Sequence, residues 1–269
     1  MTIKLVACDL DGTLMGDDLA FSPRVLSAVR RARESGVTVT IATGRGFPSA
    51  RRFARRLGLS APLICYQGAQ IQTLDGEVWR EVTLPRRHLP EVVALCRDVG
   101  RELTLYYRDE IYVATQIHDR AFYERWFSLP THRVDDLLSA VPGEPVKFIA
   151  IAPGKAEGDR LERQVRTLAA GRFQVMRSHH WFVEGLEAGV SKGASLAYLA
   201  RRMGVAREEV MALGDSGNDA SMVEWAGLGV AIGNASADVK AVADVIAPPQ
   251  DRDGAAWALE RYVLGEEGR

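Results

Sequence analysis

No stretch of this chain approaches the roughly 18 uninterrupted apolar residues of a membrane-spanning helix. Cysteine is scarce: Cys8, Cys65 and Cys96 are the three present, far apart and without a CxxC pair. Their number and spacing argue against a disulfide framework and against a zinc cluster. Cys8 and Cys65 lie in apolar, strand-like runs, so buried, reduced thiols in a cytoplasmic protein are expected. Net charge is almost absent, with 34 Lys and Arg against 35 Asp and Glu, or −1 overall. No chain-wide basic field is available to attract nucleic acid or a membrane surface. The first residues run into an apolar segment and then charge at Asp9, which reads as fold rather than as a signal peptide. No internal repeat and no low-complexity linker is visible.

What remains is an ordinary globular composition, 47% hydrophobic and 26% charged over 269 residues. That length holds one large domain or two modest ones. The first third alternates strand and helix. Residues 3–8 form a short apolar run of the kind a buried parallel strand requires. Ser22-Pro23 reads as a helix start, Val25, Val29 and Ala32 as its inward face, and Gly36 as its stop. Strands are expected at 37–42 and 63–66. Between them lies a basic helix near 47–57, whose Arg51, Arg52, Arg55 and Arg56 read as a solvated face. Residues 69–73 and 78–83 flank Asp75-Gly76, a hairpin signal.

Near Leu84-Pro85 the alternation breaks. Up to about Gly189 the pattern reads helix, two strands, helix, strand, helix, two strands. One hairpin is expected around Asp109-Glu110, a strand at 146–152, a helix at 159–169, and a closing strand pair at 173–178 and 181–186. After Ser191 the alternation resumes, with helices at 191–203 and 255–264 and strands at 209–213 and 227–232. The fold class is therefore α/β. Residues 1–84 and 189–269 make one doubly wound parallel-sheet (Rossmann-like) core, and 85–188 are inserted into it.

Ligands of open parallel sheets sit outside the carboxyl ends of the strands. Four polar clusters fall there: Asp9 with Asp11, Thr43-Gly44-Arg45, Lys192, and the loop 215–219. A carboxylate at a strand end is a workable nucleophile toward phosphorus, which is the role read for Asp9. Asp11, two residues on, is placed to protonate a leaving alkoxide and then activate water. Gathered carboxylates repel one another, and a divalent cation relieves that repulsion. All-oxygen ligands favour Mg2+ over zinc. Thr43 can donate to a phosphoryl oxygen, Lys192 supplies positive charge, and backbone amides near Leu10, Asp11 and Gly44 can bind the remaining oxygens.

Asp9-Leu10-Asp11-Gly12-Thr13-Leu14, Ile41-Ala42-Thr43-Gly44-Arg45, Val190-Ser191-Lys192-Gly193 and Gly214-Asp215-Ser216-Gly217-Asn218-Asp219 resemble the four motifs of the haloacid dehalogenase superfamily. Residues 229–235 and Asp253-Gly254 resemble its Cof-type phosphatases. The resemblance implies that Asp9 is the nucleophile and Asp11 the acid/base. It implies that Asp9, the Asp11 carbonyl and Asp215 ligate Mg2+, with Asp219 supporting them. Thr43 and Lys192 would hold the phosphoryl group. Asn218 would touch the phosphate or Lys192, and Leu10, Gly44 and Arg45 are read as further substrate-binding positions. The insert would be an α/β cap that selects a small phosphorylated metabolite. Two departures stand out. Gln67-Gly68-Ala69 replaces the family's usual Asn-Gly-Ala, and the insert reads one strand–helix unit short.

The leading function is thus a phosphatase for small phosphate monoesters. A phosphotransferase or phosphomutase is the alternative on the same scaffold, and a binding protein that lost turnover is disfavoured by the intact motif residues. In the insert, His179 and His180 are expected on opposite faces of a strand, which would keep them from sharing a metal.

Overall fold

The computed structural model describes residues 2–127 and 129–266. The chain begins with β1 (Leu5–Cys8), α1 (Pro23–Glu34), β2 (Thr38–Ile41), α2 (Phe47–Arg56), β3 (Leu63–Cys65), β4 (Gln70–Gln72) and β5 (Val78–Glu81). The middle adds α3 (Leu89–Asp98), β6 (Glu102–Tyr107), β7 (Glu110–Val113), α4 (Arg120–Trp126), β8 (Thr131–Arg133) and α5 (Leu137–Ala140). It continues with β9 (Lys147–Ile151), α6 (Lys155–Ala169), β10 (Phe173–His179) and β11 (Phe182–Glu187). The last part is α7 (Lys192–Arg202), β12 (Val210–Gly214), α8 (Ala220–Trp225), β13 (Leu228–Ala231), α9 (Ala237–Val242), β14 (Val245–Ile246) and α10 (Gly254–Tyr262). Two compact units result. One comprises Met1–Gly44, Ala50–Trp79 and Ser191–Arg269; the other comprises Arg45–Ser49 and Arg80–Val190.

The first unit is built on a parallel sheet of order β14-β13-β12-β1-β2. A parallel bridge from Ala42 to Ile64 carries it on to β3, which opens the small antiparallel β3-β4-β5 sheet. All four residues of β1 are buried, which is why its sequence is a continuous apolar run and not an alternating one. The chain winds outward from β1 through β2, then returns to the other side of β1 with β12. The β1–β12 edge is therefore the topological switch point, where the strand ends leave a crevice.

Ser22 caps α1 through its hydroxyl, which accepts from the Val25 amide, and Val25, Ala28, Val29 and Ala32 are buried as the spacing requires. Asp253, in a left-handed conformation (φ 58°), accepts from Ser22 Oγ at 2.5 Å, and Arg24 pairs with Glu260 at 2.6 Å, so α10 closes against α1. Leu196, Leu199 and Ala200 of α7 pack with Met222 and Val223 of α8 and with Ala7 and Ala212 of the sheet.

The second unit is a six-stranded sheet of order β10-β11-β9-β6-β7-β8, antiparallel except between β7 and β8. Period-two alternation sorts its faces. Leu103, Leu105, Phe148, Ala150 and Val183 join Leu89, Val92, Leu161 and Val165 of α3 and α6 in one apolar core. The alternate positions carry buried polar groups, including Glu102, Thr104 and the Lys147–Glu184 ion pair at 2.5 Å.

Three expectations need correction. The insert holds an additional strand, β8, and a helix, α5, of three and four residues, too short to establish a period in sequence. The hairpin turn is Arg108-Asp109, both at positive φ (46° and 62°), so Glu110 already belongs to β7. This is the loop conformation that matches strand twist, and Asp tolerates it. His179 and His180 are not held apart by strand alternation. The strand β10 ends at His179 after a register shift, and the two rings lie 3.9 Å apart.

The approach of α7 to α8 is backbone-close. A Cβ built on Gly193 would lie 2.2 Å from the Ser221 carbonyl oxygen. Gly193→Ala is expected to cost about 2 kcal/mol as overpacking that only a backbone shift can relieve. A calorimetric midpoint equal to that of the wild type would contradict this packing.

Candidate active site

Each cluster expected at a strand end stands where the sheet delivers it. Asp9 directly follows β1, Thr43 follows β2 after Ala42, and Asp215 follows β12. Ser191 caps α7, its hydroxyl accepting from the Ala194 amide, and this fixes Lys192 as the first helical residue. Lys192 Nζ donates to Asp9 Oδ1 and to Asp219 Oδ1, both at 2.6 Å. All three side chains are at most 7% exposed.

The loop after β12 is organised by Asp219. Its Oδ2 accepts from the backbone amides of Asp215 and Ser216, each at 3.0 Å, while its Oδ1 takes Lys192. Asp215 accepts from Thr13 Oγ1 at 3.0 Å and from Ser216 Oγ at 3.2 Å. The first-motif loop curls back on itself: the Leu10 carbonyl accepts from the Leu14 and Met15 amides, and the Gly12 amide donates to Met15 O. Gly12 is required twice. Its φ is 86°, and a Cβ there would sit 2.4 Å from Asp215 Oδ2. Asn234 Nδ2 donates to the Gly12 carbonyl at 2.9 Å and Asn234 Oδ1 accepts from the Gln250 amide, so the 229–235 segment buttresses this loop.

One carboxylate oxygen from each of Asp9, Asp215 and Asp219 lies within 4.8 Å of the others. Octahedral oxygen ligands about 2.1 Å from a small hard cation stand closer together than that, so the three would draw inward to hold one. Lys192 offsets only one of the three negative charges, which leaves a deficit that a divalent ion matches. Asp11 has an exposed side chain and lies outside this trio.

Electrostatics bear the crowding out. Burial, with the charges of Asp219, Asp215 and Asp11, raises the Asp9 pKa well above its ordinary value, against the pull of Lys192. Burial also works against the Lys192 charge, but Asp219 and Asp9 outweigh it and raise its pKa. Asp215 is pushed up to about 6, by burial first and the Asp219 charge second. Cys8, beside Asp9, is a buried thiol pushed up to about 12 and is inert at neutral pH.

The remaining expected positions are distributed as follows. Thr43 is buried, its amide donating to Ile64 O and its carbonyl accepting from the Gln67 amide. Gly44 packs against the Gln67 side chain. Leu10 is buried, and its carbonyl supports the loop. Asn218 donates to Gln67 Oε1 at 2.7 Å, a partner other than the two expected for it. Arg45 belongs to the segment grouped with the second unit, where it reaches Ser49 Oγ at 3.3 Å. Thr13 and Asn234 carry no role in the sequence reading, because their partners lie across the fold; Ser216 carries none either, although it bonds its neighbour Asp215.

The profile of the haloacid dehalogenase-like hydrolase family matches residues 6–259. The chain belongs to that family, among its Cof-type phosphatases. It is similar to the putative phosphatase YxeH of Bacillus subtilis, 29% identical over 98% of this chain and 99% of the relative. It is similar to the 5-amino-6-(5-phospho-D-ribitylamino)uracil phosphatase YcsE of the same organism, 31% identical over 97% and 96%. A haloacid dehalogenase-like hydrolase from Bacteroides thetaiotaomicron superposes with a TM-score of 0.86 at 29% identity, covering 97% of this chain and 99% of that one. Among the described residues, no helix of this hydrolase is long and apolar enough to cross a membrane.

Two outcomes follow from the buried charges. Lys192→Met strands two buried carboxylates, and is expected to cost about 3–5 kcal/mol in denaturant unfolding at neutral pH. The cost should shrink as pH falls and Asp9, whose pKa is already raised, takes up a proton. Asp215 binds its proton more tightly folded (about 6) than at its ordinary value of 3.8. Without divalent ions, its contribution therefore makes folding stability fall as pH rises from about 4 to about 6. Asp215→Asn should flatten that slope, and an unchanged profile of melting temperature against pH would argue against the raised value.

Proposed function

We propose that this hydrolase is an Mg2+-dependent phosphatase that cleaves small phosphate monoesters through an aspartyl phosphate on Asp9. The observation that carries this reading is the Asp9–Lys192–Asp219 linkage beside Asp215 at the β1–β12 switch point. Lys192 holds Asp9 Oδ1 and leaves Oδ2 to attack. Asp9, the Asp11 carbonyl and Asp215 would hold Mg2+, with Asp219 in support. When bound, the ion supplies positive charge that quiets carboxylate repulsion and neutralises phosphoryl oxygens.

In the first step Asp9 Oδ2 forms the bond to phosphorus and the ester P–O bond breaks. Asp11 gives its proton to the departing alkoxide. In the second step Asp11 takes a proton from water, whose oxygen attacks phosphorus and releases inorganic phosphate and free Asp9. Lys192, Thr43, Asn218 and the amides of Leu10, Asp11 and Gly44 stabilise the phosphoryl oxygens. Asp11's exposure suits a group that must meet both alcohol and water. The second unit acts as the cap that selects the substrate, a sugar phosphate or similar metabolite. The named activity of YcsE, on a phosphorylated ribityl compound, supports a polyol phosphate. The near-neutral charge and the lack of an apolar span support a cytoplasmic enzyme without nucleic acid or membrane partners.

Chelation is expected to abolish hydrolysis and Mg2+ to restore it. Lys192→Ala should lower turnover roughly a hundredfold, as for other preorganised charges. The two motif aspartates should separate with an activated aryl ester. Asp9→Asn forms no phosphoenzyme, whereas Asp11→Asn releases a burst of phenol near one per site and then turns over slowly. Rapid quench with intact-mass mapping decides this. A phosphoenzyme on Asp11, or unimpaired turnover in Asp11→Asn, would refute the assignment.

A further inference from the structure

The turn after β3 departs from the family's usual residue at Gln67, and its geometry is unusual. Tyr66, Gln67 and Gly68 are consecutive at positive φ (51°, 61° and 100°). Two of the three carry side chains in a region such residues rarely occupy, a cost that persists only where surrounding contacts enforce it. Here they do. The Gln67 amide donates to Thr43 O at 3.0 Å. Ser195 Oγ of α7 donates to Gly68 O at 2.5 Å, and a Cβ on Gly68 would strike the Ser191 carbonyl at 2.3 Å. The turn is thus wedged between the Thr43-Gly44 cluster and the start of the helix that carries Lys192.

From this turn the Gln67 side chain, 1% exposed, reaches a third cluster. Its Oε1 accepts from Asn218 Nδ2 at 2.7 Å. Its Nε2 lies 2.4 Å from where a Cβ on Gly44 would be, so the amide covers the Gly44 backbone. Asn218 Oδ1 is buried without a hydrogen-bond partner among the described residues. Among the described residues, the bond that orients the Asn218 side-chain amide is therefore the one to Gln67. An amide is a donor on one side and an acceptor on the other. Turned one way it offers N–H to an anion; flipped, it offers a carbonyl that repels one.

We propose that Gln67 is a positioning residue for phosphate binding: it commits one Asn218 N–H to its own Oε1 and so holds the second toward a phosphoryl oxygen. The inference rests on the phosphatase reading above. The side-chain length matters. Asn at this position suits the left-handed backbone at least as well, but is one methylene shorter and does not span to Asn218 from this turn. Gln67 thus trades backbone comfort for reach.

The test is a double-mutant cycle on the full-length protein with Mg2+. Inorganic phosphate serves as a competitive inhibitor of p-nitrophenyl phosphate hydrolysis, and thermal midpoints are measured alongside. Gln67→Asn should raise the phosphate inhibition constant about five- to tenfold, the scale of one oriented hydrogen bond. KM should rise with it, kcat should change less, and the midpoint should not fall. In an Asn218→Ala background the same substitution should change the constant less than twofold, because Gln67 acts through Asn218. Gln67→Met keeps the length, removes the acceptor and provides the same cycle if the shorter variant misfolds. An unchanged inhibition constant, or an equal factor in both backgrounds, overturns the positioning role. A wild-type protein that neither hydrolyses the ester nor binds phosphate overturns the phosphatase reading, and this inference with it.

Discussion

The buried ammonium of Lys192 between the carboxylates of Asp9 and Asp219 is the interaction on which the site depends. Taking one cation and two anions out of water is expensive, and mutual attraction repays that only with short, well-directed bonds. Both bonds are 2.6 Å, and Asp219 is further secured by two backbone amides. Through this one contact, the end of β1, the loop after β12 and the first turn of α7 are tied to one another. A shift in any of them would leave a charge buried and unpaired.

The rest of the site can be understood as what this linkage requires nearby. Asp215 adds a third carboxylate that Lys192 cannot fully offset, and its pKa is raised by burial first and by the Asp219 charge second. Thr13 and Ser216 relieve part of it by hydrogen bonding, and the absence of a Cβ on Gly12 lets the first-motif loop lie against Asp215. The negative charge left over is of the size that a divalent cation would offset.

The second unit obeys a different logic. One face of its sheet is apolar and covered by α3 and α6, while the alternate positions bury Glu102, Thr104, Lys147 and Glu184. Buried polar groups at this density are not needed for stability, since apolar replacements of like size serve a core at least as well.

Much of this was legible in the residues. The apolar run of β1, the Ser22-Pro23 helix start and the strict alternation on either side of the insert follow from burial and periodicity, which are local properties of the chain. The strand-end placement of Asp9, Thr43 and Asp215, and the helix-start placement of Lys192, were legible for the same reason. The short β8 and α5, the Arg108-Asp109 turn and the approach of His179 to His180 were not, because three or four residues carry no period and a strand's end is set by its neighbours. Nor could the sequence reveal that Thr13 serves Asp215, that Asn234 holds Gly12, or that Gln67 orients Asn218. Those partners are separated by 202, 222 and 151 positions and meet only because the sheet brings its strand ends to one edge. The sequence determined which groups could do phosphoryl chemistry; the tertiary structure decided which carboxylates share a charge and which amide faces which partner, since hydrogen bonds and Coulomb forces depend on distances that only the packed fold sets.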